Sequence, residues 1–461
     1  MASTVTTSSL SLASAPEALT EAPHSSDTET HASNVPQGDK ERVLIIGGGF
    51  AGLNLAKRLD RKRYRVLMVD RNNFHSFPPL FYQIASSGLA ASNISFPLRR
   101  EFKKLGGTSY HMGHVKQIDT ASKTVTTSYE TIRYDKLVIA AGTTNNYFGM
   151  KDMDQKVFGI KTIGEAMYTR DEILDRLERG AIARDPELRR KLLSFIVVGG
   201  GPAGVEIAGA LGEMKRDILP REYPDLDPRE MRIVLVEGSG KLLGAMSEKA
   251  SRTALRDLEK LLVEVRLNTV MSDYTDKVVT FADGSKEYWE TLIWTAGVCG
   301  QPMPGIDKRH IGHGARIITD EYNRLIGEND VYAIGDIALM SVPGFENGHP
   351  QVAQVAIQQA RNLARNLNLE GKETPLPFRY NNKGSMATIG KYRAVVDLKN
   401  RSLSGWIAWM AWMFIHLISI VGFRNKLNVL LNWTWNYLTY STSLRLLLRP
   451  VKYPLRRHWG D

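Results

Sequence analysis

The stretch Val43-Leu44-Ile45-Ile46-Gly47-Gly48-Gly49-Phe50-Ala51-Gly52 decides the fold. Four aliphatic residues run into a glycine cluster, and an apolar helical segment follows at 53–59. That order predicts the strand, tight turn and helix start of a βαβ unit that binds a dinucleotide. Gly47 permits the turn, Gly49 lets the backbone approach a pyrophosphate, and Gly52 lets the helix pack closely on its strand. The helix N-terminus offers unpaired N–H groups to the phosphates. A second strand at 65–70 ends in Asp70, placed to accept from a ribose hydroxyl. The glycine spacing alone is a weak signal, but strand, helix and acid in the right order make it specific.

The same pattern returns about 150 residues later. A strand at 193–198 runs into Gly199-Gly200-Gly201-Pro202-Ala203-Gly204-Val205-Glu206, with Gly199, Gly201 and Gly204 in the three motif positions. The matching acid is Glu237, delayed by a Pro-rich insertion at 219–228. A carboxylate there pairs the 2′-hydroxyl of NAD and repels the 2′-phosphate of NADP. Two such units imply two dinucleotides meeting head to head, one resident and one exchanging. Glu206 has two readings: an acid at the nicotinamide end of the mobile nucleotide, or a carboxylate stabilising the first helical turn.

Each unit closes on a buried strand ending at small residues, Ala140-Ala141-Gly142-Thr143 in the first and Thr295-Ala296-Gly297 in the second. A further strand ends at Gly335-Asp336, an aspartate suited to the ribityl chain of a flavin. A helix over 351–367 then carries Gln354 and Gln358 four residues apart, and so on one face. The run 73–83, with Pro78-Pro79, cannot be a regular helix at the prolines. It reads equally as a core-packing loop or as the wall of a flat aromatic cofactor, and His75 within it reads as structural.

Composition bounds the rest. The 461 residues are 43% apolar and 24% charged, enough for two or three domains with cores. Cys299 is the only cysteine, so no internal disulfide, dithiol relay or multi-cysteine metal site exists in this chain, and no metal-ligand set is read elsewhere. Residues 1–40 are rich in Ser, Thr and Ala, lack a basic n-region and carry acids, which predicts a disordered extension rather than a targeting peptide. Setting aside the tail's five acids (Glu17, Glu21, Asp27, Glu29 and Asp39) raises the basic excess from +11 for the whole chain to +16 for the rest. Beyond residue 400 there are eight Lys or Arg residues against Asp461, and six of the eight tryptophans. Tryptophan and basic residues beside apolar runs are what a bilayer interface selects. The pattern predicts a helix in the membrane plane, or partly packed on the body, within 406–423 and bracketed by Ser404-Gly405 and Gly422, with a single span as the competing reading, and an amphipathic helix over 427–448 ended by Pro450. No nucleic-acid motif accompanies the charge.

Taken in order, the two glycine motifs with their acids, Ala333-Ile334-Gly335-Asp336 and Ala353-Gln354-Val355-Ala356-Ile357-Gln358 resemble the type II NADH:quinone oxidoreductases. The segment 385–391, ending in Lys391, is similar to one near the quinone end of the flavin in that family. The resemblance implies an α/β fold with two Rossmann-like domains, glutathione-reductase-like, and a C-terminal helical region that associates with membrane. It divides the chain into an extension (1–40), an FAD-binding domain in two parts (41–155 and 301–375), an NADH-binding domain (156–300) and the C-terminal region (376–461). It implies FAD held by Gly47, Gly49, Gly52, Asp70, Gly142, Gly335 and Asp336, and NADH held by Gly199, Gly201, Gly204 and Glu237. Gln354, Gln358 and Lys391 would line a pocket for a membrane quinone, with Glu206 a further candidate for its protons. A peripheral homodimer on the cytoplasmic face of the cell inner membrane, without proton pumping, completes the expectation. A soluble-acceptor oxidase or carrier-protein reductase of the same fold, or a non-catalytic nucleotide sensor, is the alternative.

Overall fold

The computed structural model describes residues 31–32, 39–103, 105–399, 401–439 and 444–447. Two five-stranded parallel sheets organise them. The first runs Val331–Ala333, Lys136–Ile139, Glu41–Ile46, Tyr64–Asp70, Thr108–Met112. The second runs Phe158–Gly159, Thr291–Trp294, Ser194–Val198, Arg232–Val236, Glu264–Arg266. In each, the glycine-loop strand lies at the centre and is buried along nearly all its length, as a parallel strand covered on both faces requires. The two halves are tied by an antiparallel pair, Thr143–Asn145 with Val298–Gly300. The helix Ile163–Ile182 is started by a capping box between Thr162 and Glu165.

A third unit, the hairpin sheet Ser385–Gly390, Arg393–Leu398, Arg401–Ser404, packs on the second glycine-loop helix, Pro202–Glu213. Contact is backbone to backbone. A Cβ on Gly209 would lie 1.8 Å from the Ile389 carbonyl oxygen, so only glycine allows this approach. Trp406–Ser419 and Phe423–Thr439 follow as two helices against the hairpin and the segment 81–95.

Several expectations are corrected. The charge-free run 406–423 is not one helix. It breaks after Ser419, where Gly422 takes φ +88° and a Cβ would meet the Phe96 ring at 2.6 Å. Its first helix of 14 residues is about 21 Å long, and no described helix is long and apolar enough to cross a membrane. The second helix begins at Phe423 and ends at Thr439, not at 448; residues 444–447 are non-helical, and Pro450 lies outside the described residues. The glutamine helix starts at Ala353, with Gln351 and Val352 outside it. Pro78–Leu80 form a tight 3-10 turn that leads into a short helix, Phe81–Ala85. Within the extension, His31–Ala32 pair in parallel with Glu130–Thr131, so these two residues are ordered; 1–30 and 33–38 lie outside the described residues.

Gly209→Val should destabilise the protein by about 3 kcal/mol, because overpacking against a backbone carbonyl has no side-chain escape. A lowered Tm, together with faster proteolysis near residue 385, is the expected result.

Candidate active site

The two glycine loops are the same object built twice. Gly47 and Gly199 take φ +104° and +110°, which glycine alone adopts without strain. A Cβ on Gly52 would sit 1.9 Å from the Gly47 carbonyl, and one on Gly204 would sit 1.8 Å from that of Gly199. By contrast Gly49, Gly142 and Gly201 face open space, a cradle that any side chain would begin to fill. Asp70 accepts from the N–H of Gly48 at 2.6 Å and of Asn72 at 2.7 Å. Glu237 repeats this with Gly200 at 2.6 Å and Ser239 at 2.7 Å. Each acid is thereby held at the end of its second strand, beside its own loop.

In the first half, Gly335 carries φ +77° and its N–H donates to Gln359 Oε1 at 2.7 Å. Asp336 follows in the same tight turn. Burial pushes its carboxyl up, opposed by the cations Lys161 and Arg316. Lys161 donates to the Thr143 hydroxyl at 2.6 Å, next to Gly142. Burial lowers its ammonium, while Asp336 and Glu165 act to keep it charged. His75 is 3% exposed, its Nδ1 against the Gly48 carbonyl at 2.9 Å and its Nε2 without a partner among the described residues. The open cradle at Gly49 and Gly142, with the opposite charges of Lys161 and Asp336 acting on each other near the Gly142 turn, fits a phosphate- and ribityl-bearing flavin. Lys161 and Gln359 carry no local motif, so sequence reading did not find them.

Both glutamines are held by backbone groups of one segment. Gln354 donates to the Gly384 carbonyl at 2.8 Å and accepts from the Lys383 N–H at 3.1 Å. Gln358 bonds both ways to the backbone of Asn381, at 2.9 Å each. Both amides clamp the segment 381–384 that leads into the hairpin, and neither lines the cavity described next.

That cavity, about 130 Å³, lies between the second loop helix, the hairpin turn and the inner face of the last helix. Glu206 and Lys391 both line it, as do Tyr82 and Gln83 from the first half. Glu206 is 8% exposed and accepts from the Thr388 N–H at 3.4 Å. Burial pushes its carboxyl up to about 8, against the lowering effect of that bond. Lys391 donates from Nζ to the Tyr437 carbonyl. Trp433 donates to Gln83 at 2.8 Å, and Gln83 to the Tyr82 hydroxyl at 2.8 Å, sealing one wall. His416, stacked on Trp412, is driven by burial down to about 4 and stays neutral at pH 7.

Two nucleotide loops tied by a crossing strand pair define a class, and residues 41–360 match it: the pyridine nucleotide-disulphide oxidoreductases. With one cysteine, this chain has the fold of that class without a dithiol. Residues 382–440 match the NDH2 C-terminal domain. The type II NADH:quinone oxidoreductase NdhA of Mycobacterium tuberculosis is 34% identical over 414 residues, covering 86% of this chain and 87% of that one. The chain belongs to the type II NADH:quinone oxidoreductase family. In fold it is similar to NDH2 from Plasmodium falciparum solved with NADH, at TM-score 0.81 and 21% identity over 89% of this chain and 100% of that one. The sulfide:quinone oxidoreductase of Aquifex aeolicus shares the fold at TM-score 0.68 and 16% identity, over 84% and 92%.

Glu206→Gln isolates the buried carboxyl. Its folded value of about 8 lies above the ordinary 4.5, so the stability linked to its proton is full below 4.5 and is lost as pH rises through 8. The variant should therefore gain stability over the wild type progressively from about pH 5 to about pH 8, by at most about 5 kcal/mol, read as a rising difference in Tm. A difference independent of pH would contradict the assignment.

Proposed function

We propose that this chain oxidises NADH through a resident FAD and delivers two electrons to a membrane quinone at the cavity beside Glu206 and Lys391. One observation carries the reading: the wall of that cavity is the inner face of Phe423–Thr439, whose outer face is bare and apolar. Trp435 is 62% exposed and Leu438 77%. An amphiphilic substrate and a lipid surface thus share one helix.

Gly47, Gly49 and Gly52 would seat the flavin pyrophosphate, with Asp70 on its adenosine ribose and Gly142, Gly335 and Asp336 toward its ribityl end. A ribose acid beside a pyrophosphate loop supports the dinucleotide FAD over a mononucleotide. Bound flavin supplies the two-electron chemistry. Gly199, Gly201, Gly204 and Glu237 would hold NADH; Glu237 fits a 2′-hydroxyl, with no Arg among its next neighbours to receive a 2′-phosphate. Lys161 would fix the Gly142–Thr143 turn and supply positive charge toward Asp336. Gln354 and Gln358 act at one remove, by fixing the hairpin that carries Thr388 and Lys391. Within this reading the protein attaches peripherally to the cytoplasmic face of the cell inner membrane, where soluble NADH and quinone meet, and works as a homodimer.

NADH oxidation should accelerate on adding a short-chain quinone; absence of acceleration sinks the substrate assignment. Glu237→Gln should raise the KM for NADH about tenfold with flavin content unchanged, and Asp70→Asn should do the reverse. Replacing Trp435 and Leu438 by Ser should weaken binding to anionic vesicles about tenfold or more, each losing apolar burial.

A further inference from the structure

Glu206, Gly209 and Glu213 are spaced i, i+3 and i+7, so they share one face of the second loop helix. That face meets the hairpin. Glu206 accepts from the Thr388 N–H, Gly209 abuts the Ile389 carbonyl, and Glu213 accepts from the Lys391 N–H. The two carboxyls therefore bracket the contact, about 10 Å apart along the axis, and both line the cavity. They differ in access. Glu206 is buried, whereas Glu213 is partly exposed and stands next to Asp217 at the rim, toward the Arg445–Glu222 ion pair.

The reaction has an unmet proton. NADH releases a hydride, which is two electrons and one proton, and a quinone takes two electrons and two protons to become a quinol. One proton per turnover must come from solvent. Resting on the quinone reading above, we propose that Glu213 carries that proton from the Asp217 rim into the cavity, receiving it from water and releasing it toward the quinone oxygen or Glu206.

The surroundings suit a carboxyl that cycles at neutral pH. Burial raises Glu213 to about 7, Asp217 adds to that, and the Lys391 N–H, Arg216 and the Lys391 ammonium oppose it. From the other elements, Tyr437 of the last helix and Tyr82 of the first half face the same space, and burial raises both. Both therefore stay neutral across the working range, which leaves Glu213 as the group that titrates at the entrance. A purely structural Glu213 would need only its acceptor oxygen for the Lys391 N–H.

Glu213→Gln keeps that oxygen and removes the proton. In the full-length holoenzyme, the variant should bleach its flavin with NADH at the wild-type rate. Its turnover with a short-chain quinone should fall about a hundredfold, the size of a lost general acid. Wild-type quinone turnover should decline as pH rises through about 7, where Glu213 loses its proton, and the variant should lack that limb. Infrared difference spectra should show a protonated-carboxyl band that titrates in the same range and is absent from the variant. Wild-type turnover with a wild-type pH profile in Glu213→Gln overturns the proposal. Equal loss of flavin bleaching and quinone turnover also overturns it, since that marks a structural role. If the wild type itself bleaches with NADH yet never reduces quinone, the quinone reading fails first, and is recognised because the variant plays no part in that result.

Discussion

The close approach of a helix to a backbone carbonyl, made possible by a missing Cβ, is the constraint on which the site depends. At Gly52 and Gly204 it presses each loop helix onto the turn that starts it, under 2 Å from where a Cβ would lie. The unpaired N–H groups of both helices then face the space above Gly49 and Gly201. A larger residue would lift the helix and dissolve the cradle. The acids Asp70 and Glu237 exploit the same closeness, since each reaches its loop N–H at 2.6 Å only when the strands are flush.

These local features are what sequence makes visible. Glycine spacing, a strand before, a helix after and an acid in register are all set within about 40 residues. Both nucleotide loops, the return strands and the Gly335-Asp336 turn were therefore readable. The cavity was not, because its walls come from distant parts of the chain: Glu213 meets Lys391 across 178 positions, and Trp433 meets Gln83 across 350. The glutamines were visible as a pair but not as clamps, since their partners are backbone groups and backbone carries no sequence signature. The bracketing of the first C-terminal helix by Gly405 and Gly422 was readable, but the Phe96 ring packed against Gly422, more than 300 residues earlier, was not. Glu213, two helical turns after Glu206, was not singled out either, because only its meeting with the distant hairpin gives that position a meaning.

Electrostatics divides the molecule by depth. Exposed ion pairs such as Arg229–Asp227 contribute little, being screened by solvent. Inside the cavity the balance reverses. Buried carboxyls are held toward their neutral form, and His416 likewise stays uncharged against Trp412.

The second loop helix ties these themes together. Its N-terminus is the nucleotide cradle at Gly201, and its last residue is Glu213, twelve positions and about 18 Å further on. A rigid helix cannot move one end without the other. The loop that would receive NADH and the carboxyl that would admit a proton are thus fixed to one body, with Gly209 locking that body to the hairpin between them. Electron supply and proton supply therefore share one mechanical reference, although no side chain joins them.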